Sequence, residues 1–196
     1  MKRLLLSLLL VGFCAPAVLA EITQSFDYVI SDSYEFGTFI LNSESLLITG
    51  AGVDGILAQG ESYVEVQGTD PLQQHVGGIY TLGLIDFSTM NYYGGETGMF
   101  SIYEDATATF SGGRIDYISS YQDSDLMKHI TFTADVDSIA LTGNLLTGNW
   151  LDGSGFSVTL LDQTGYDSVY SNINFVPEPA TVLLFGLGVI GLRRRK

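Results

Sequence analysis

The sequence predicts an all-β protein: a short parallel β-helix, or solenoid, of about four 18-residue coils closed by β caps. Two observations carry this. Gly50, Gly68, Gly94 and Gly112 follow strand-like segments at intervals of 18, 26 and 18 residues, and a fixed period of this size marks a repeat architecture. Within each unit apolar residues also recur at period two, the spacing of a strand with one buried face. Periodicity alone leaves one alternative open, an antiparallel meander or sandwich with Gly-Gly closing hairpins.

In chain order, residues 1–20 come first. Lys2 and Arg3 precede the apolar core Leu4 to Phe13, and Val18-Leu19-Ala20 places small residues where a signal peptidase reads. This is the pattern of a secretory signal helix removed between Ala20 and Glu21. The apolar core is too short to span a bilayer, which takes about 20 residues. Phe13 before Cys14 is too bulky for a lipidation site.

Residues 21–175 form the secreted body. Its opening, with "FGTFILNSE", reads as a degraded coil. The repeats occupy about residues 44–124, with extra residues at Asp70 to Gly77 in the second unit. Once these are set aside, columns line up. Ile48, Val66, Tyr92 and Phe110 stand two before the glycine, and Leu46, Val64, Met90 and Ala108 four before. Val53, Ile79, Thr97 and Ile115 stand three after, Ile56, Leu82, Phe100 and Ile118 six after, and Ala58, Leu84, Ile102 and Ser120 eight after. Stacked coils would turn each column into a buried ladder with rungs about 4.8 Å apart. A short stack exposes core and strand edges at its ends and needs caps. Residues 126–175 supply one, three or four strands joined at Gly143, Gly148 and Asp152-Gly153. Ser138 to Gly143 echoes Ser45 to Gly50, and Trp150, the single tryptophan, reads as a core residue of the cap.

The charge pattern excludes one class of partner. Of 22 acidic residues only Glu178 lies outside the body, and of eight basic residues only Arg114 and Lys128 lie inside it. The body therefore carries about 19 net negative charges at neutral pH. Nucleic acid is excluded, because phosphate binding needs clustered lysine and arginine. Divalent cations and neutral or cationic polymers are favoured. Once Cys14 leaves with the leader no cysteine remains, so neither disulfides nor thiolate zinc hold the fold.

Nothing assembles a catalytic motif. There is no nucleophile elbow, no His-Glu-x-x-His and no phosphate loop in the body. The two histidines, His75 and His129, have no telling neighbours. The pairs Asp123/Asp125 and Asp135/Asp137 sit two apart, the spacing that puts two carboxylates on one side of a strand. With Arg114 they are the candidates for an acid-base pair acting on a polysaccharide. Glu61, Asp105 and Asp123 share one repeat position, and Asp86 and Glu104 the one before it. Stacked carboxylates repel along a ladder, and a hard cation such as calcium would relieve this. The competing reading is a solvated acidic edge that keeps the protein soluble.

The last segment, residues 176–196, is "VPEPATVLLFGLGVIGLRRRK". Pro177, Glu178 and Pro179 precede the apolar stretch 180–192, interrupted by Gly186, Gly188 and Gly191. Arg193, Arg194, Arg195 and Lys196 close the chain. As a helix, thirteen residues span about 20 Å, short of the ~30 Å hydrocarbon core, and the terminal cations would stay cytoplasmic. The three parts in this order closely resemble the PEP-CTERM sorting signal, and the repeats resemble, less specifically, glycine-turn β-helix-like repeats found in that group. The resemblance implies a short transmembrane helix held transiently in the inner membrane. It implies recognition by an exosortase, a membrane-embedded cysteine transpeptidase, with cleavage near the Pro-Glu-Pro motif. The hosts it implies are Gram-negative bacteria that make extracellular polysaccharide.

The expectation is thus a structural or adhesive protein of the cell surface or extracellular matrix, associated with exopolysaccharide and without catalytic activity. The alternatives are a polysaccharide-acting β-helix enzyme, a lyase or glycosidase, and a calcium-dependent binding module.

Overall fold

The computed structural model describes residues 25–73, 77–122 and 128–177. The predicted signal helix and the apolar tail at 180–192 lie outside these residues. Among the described residues no helix is long and apolar enough to cross a membrane.

The described chain is all-β. Fourteen strands follow in order: β1 (Tyr28–Ile30), β2 (Glu35–Asn42), β3 (Ser45–Ile48), β4 (Gly52–Gln59), β5 (Tyr63–Val66), β6 (Gly78–Leu84), β7 (Thr89–Tyr92), β8 (Glu96–Tyr103), β9 (Thr107–Phe110), β10 (Arg114–Tyr121), β11 (Ile130–Thr142), β12 (Leu145–Trp150), β13 (Gly155–Leu161) and β14 (Ile173–Val176). The odd strands β1 to β9 pair with one another in parallel, and so do the even strands β2 to β10. The antiparallel alternative therefore fails over the repeats. The register is that of the columns: Ile48 pairs Val66, which pairs Tyr92, which pairs Phe110. On the other stack Ile56, Leu82, Phe100 and Ile118 follow in line. All eight are buried.

The C-terminal region departs from the parallel stack. β11 continues the odd stack, with Phe132 opposite Phe110, then turns into an antiparallel pair with β12. β12 pairs antiparallel with β13, and β13 lies parallel to β10. This bridge joins both stacks into one 14-stranded, nearly closed, barrel-like sheet, with β14 beside β11. The echo of Ser45–Gly50 at Ser138–Gly143 is corrected. Ser138 stands at an irregularity of β11 between Asp135 and Ala140, and the rung equivalent to Ile48 is Phe132.

The interior changes character along the stack. The first rungs are aliphatic. From Tyr92 onward aromatic rings touch in series, Tyr92 to Phe110 at 5.5 Å and Phe110 to Phe132 at 5.3 Å between centroids. Phe132 lies against Trp150 at 5.3 Å, and Trp150 against Phe156 at 4.5 Å. The interior is thus aliphatic over the first coils and aromatic where the cap strands close it. Burying each ring contributes about 2 kcal/mol or more, with offset contacts adding about 1 kcal/mol per pair.

The turns repeat as the strands do. Ser43, Gly60, Asp86 and Glu104, which follow β2, β4, β6 and β8, all take positive φ, between 55° and 66°. Three of these are not glycine and hold a conformation that costs about 1 kcal/mol each. At the opposite turn Gly52 lies so close to the Gly78 backbone that any Cβ would overlap it.

Candidate functional site

One irregularity is shared by every full coil. The parallel ladders among β4, β6, β8 and β10 pass over the same position, that of Asp54, Tyr80, Gly98 and Asp116. Two outward residues therefore stand between consecutive inward ones: Tyr80 and Thr81 between Ile79 and Leu82, Asp116 and Tyr117 between Ile115 and Ile118. The offset between neighbouring strands is the same on both sides of this position, so the irregularity is common to all four strands. These positions stack in register into a ridge on the outer face.

A cleft of about 440 Å³ opens on this ridge. Tyr80 and Tyr117 stand in it, each 45 % exposed, with Met99 and Thr81 beside them. Gly98 lines it between the two tyrosines; a Cβ there would come within 2.8 Å of the Tyr80 carbonyl oxygen and 3.6 Å of Leu72 Cδ2. Leu72 belongs to the inserted segment, the one departure from the 18-residue period. The Leu72 N–H donates to Glu96 Oε2 at 2.7 Å, and the Glu96 N–H donates to Thr69 Oγ1 at 2.8 Å. The insertion is thus pinned to the start of β8 and supplies a wall of the cleft. Asp116 completes it. Its carboxylate accepts from Arg114 Nε at 3.0 Å, and Arg114 Nη1 lies 3.6 Å from Glu96 Oε2. The arginine lies between two carboxylates and is not aimed at the cleft as a free cation.

The residues singled out from sequence are scattered by comparison. Asp86 and Glu104 do come together. Asp86 Oδ2 accepts the Gly60 N–H at 2.8 Å, and a hydrogen bond to Asp86, desolvation and the charges of Asp86 and Asp105 push the Glu104 carboxyl above its ordinary range. Glu61 and Asp105 occupy the following position of the same corner, and Asp123 lies outside the described residues. Among the described residues no three carboxylate, histidine or cysteine side chains are grouped as a metal site would require. In the Asp135/Asp137 pair, Asp135 Oδ1 accepts the Asp137 N–H at 3.2 Å within the irregular stretch of β11. Arg114 is engaged as described, and Asp123, Asp125 and His75 lie outside the described residues. His129 is buried, with Nδ1 3.1 Å from the Ala106 carbonyl oxygen.

Ala20 and Glu21, Glu178 and Pro179, and Arg193 to Lys196 also lie outside the described residues. Pro177 ends the described chain, just past β14, in a hollow shared with Trp150, Asp135 and Asp137. Lys128 Nζ donates to the Ile173 carbonyl at 2.9 Å and ties the start of β14 to the body.

Sequence reasoning passed over the cleft. Its signal was present in the columns: those three and six after the glycine both face inward, and an odd spacing forces two neighbours to face out together. Tyr80, Met99, Asp116 and Tyr117 fill those outward positions.

Residues 175–196 match the family model for the PEP-CTERM protein-sorting motif. No curated protein and no solved structure matches the chain. An all-β body followed by this motif is an exported protein, sorted to the cell envelope or surface and recognised by an exosortase.

Proposed function

We propose that the chain is a non-enzymatic structural or adhesive protein of the cell surface or extracellular matrix, associated with exopolysaccharide. Its body acts as a short, rigid solenoid, and the tail serves for routing through a transient stay in the inner membrane. The observation that supports this most is the parallel 18-residue register in a chain that carries the sorting motif. Repeated rungs with a continuous apolar interior give a stiff body whose stability sums over neighbouring units, and its acidic surface keeps it dispersed. The tail follows β14 at the capped end, so β1 and β2 form the opposite end of the stack.

Mass spectrometry of the secreted species tests the reading. The expected mass lacks the residues after about Val176. An exported form that keeps Arg193 to Lys196 would overturn it.

A further inference from the structure

We propose that the cleft at Gly98 binds a neutral glycan, with a pyranose ring seated between Tyr80 and Tyr117; this deepens the adhesive reading above and rests on it.

The cleft selects its occupant by chemistry. Its volume of about 440 Å³ lies within the range of small-ligand sites. Tyr80 and Tyr117 offer broad apolar faces with polar tips, at small cost in side-chain entropy. Gly98 brings no side chain into the space between them. The groups around this hollow that exchange hydrogen bonds are Thr81, Asp116 and the tyrosine hydroxyls. A ligand must therefore present an apolar face and a rim of hydroxyls at once, and a pyranose ring does both.

Charge narrows the choice further. An anionic polymer meets a body with a large negative excess, and the nearby Arg114 is already paired with Asp116 and Glu96. A cationic ligand would have to compete with Arg114 for Asp116. A neutral ligand takes the free lone pairs of the carboxylate and disturbs neither pair. An extended peptide has no strand edge to join, because β8 is paired on both sides by β6 and β10. A second copy of the chain needs an interface of more than about 1,000 Å², far beyond what a hollow with two exposed tyrosines offers.

The same face continues beyond one ring. Tyr117 and Tyr121 lie four residues apart along β10, about 13 Å, with Ser119 buried between them. Between them the Ser101 and Ser119 hydroxyls lie 2.9 Å from each other. At the far end Tyr103 and Tyr121 stack at 4.4 Å, with Tyr166 edge-on to Tyr121 at 5.6 Å. Two aromatic stations at this spacing fit an oligosaccharide running along the strand.

The test is calorimetric titration of the purified full chain in mild detergent with cellohexaose, laminarihexaose and mannohexaose. Hexaglycine and an alginate hexamer are run alongside, and saturation-transfer NMR reports contact with aromatic protons. At least one neutral hexaose is expected to bind. Tyr80→Ala and Tyr117→Ala are expected to weaken it at least tenfold without lowering Tm, while Tyr170→Ala, outside the cleft, leaves it unchanged. The proposal is overturned if none of the three neutral sugars binds, or if the tyrosine substitutions leave binding intact. Equal binding of the alginate hexamer or hexaglycine overturns it too, as does a concentration-dependent dimer that Tyr117→Ala abolishes. Binding is read without any sorting step. A retained tail therefore sinks the sorting reading alone, and a correctly trimmed protein that ignores sugars sinks the cleft alone.

Discussion

The indole N–H of Trp150 donates to the carbonyl oxygen of Gly113 at 2.9 Å. This contact joins the last rung of the cap to the turn before β10, 37 residues away in sequence. The ring is also stacked on Phe132, with 11° between planes. Trp150→Ala is expected to cost about 4 kcal/mol, in the range for deleting a buried aromatic ring. Trp150→Phe, which keeps much of the packing and loses the hydrogen bond, should cost about 1 kcal/mol. Urea denaturation followed by far-UV circular dichroism separates the two.

Ser88 and Ser62 make opposite predictions from one column. Both are fully buried, and the next residue in the column is Ala106. Ser62 Oγ donates to the Gln59 carbonyl at 2.6 Å and accepts the Ser43 N–H at 2.9 Å. Ser88 Oγ has no hydrogen-bond partner among the described residues. Ser88→Ala should therefore stabilise by about 1 kcal/mol, and Ser62→Ala should destabilise by about the same. Thermal melts of the two variants check the sign.

Gly52 and Gly143 separate steric need from backbone preference. Gly52 has no room for a Cβ against Gly78, whereas Gly143 has nothing within 4 Å and a φ of 62°. Gly143→Ala is expected to cost about 1 kcal/mol, the strain of the left-handed conformation. Gly52→Ala forces two backbones apart and should cost about 3 kcal/mol, the upper end for overpacking. Equal losses in denaturant would show that the rungs separate freely.

The Asp86–Glu104 corner predicts a pH dependence. The Glu104 carboxyl is raised by its hydrogen bond with Asp86 and by the neighbouring charges. An acid whose folded pKa is raised binds more protons in the folded state. Its ionisation therefore subtracts stability as pH rises from the ordinary glutamate value, near 4.3, through the folded value. Glu104→Gln should raise Tm at pH 7 relative to the parent, and the gain should vanish near pH 4. Added salt should shrink it at neutral pH. A gain that persists at pH 4 would show that repulsion is not its source.

Much of the repeat was written in single residues. Apolar residues at alternate positions, returning after 18 or 26, specified which side of each strand is buried, because a one-residue slip would turn the whole set to water. That argument placed Ile48, Val66, Tyr92 and Phe110 in one ladder, and the structure pairs them. It also located the extra residues after Gly68. It could not say that neighbouring coils lie parallel, since an antiparallel hairpin buries the same alternate residues. Long-range pairing settled that.

The site divides in the same way. The sorting motif was legible because its information is linear: a Pro-Glu-Pro run, an apolar stretch and a basic end in fixed order. The carboxylate pairs carried little information, because the acidic content of the body makes pairs at spacing two common. In folded form Asp135 turns to its own backbone, and Arg114 is drawn to Glu96 and Asp116.

What the sequence determined by itself is the β class, the inward columns, the negative charge and the routing tail, all set by residue type and spacing along one dimension. Tertiary structure alone decided the parallel stacking, the antiparallel bridge β11–β12–β13 and the cleft at Gly98. That cleft needs Leu72, Tyr80, Gly98 and Tyr117 from four successive segments. Their proximity arises from hydrogen-bonded register between strands, a relation that no local stretch of chain encodes.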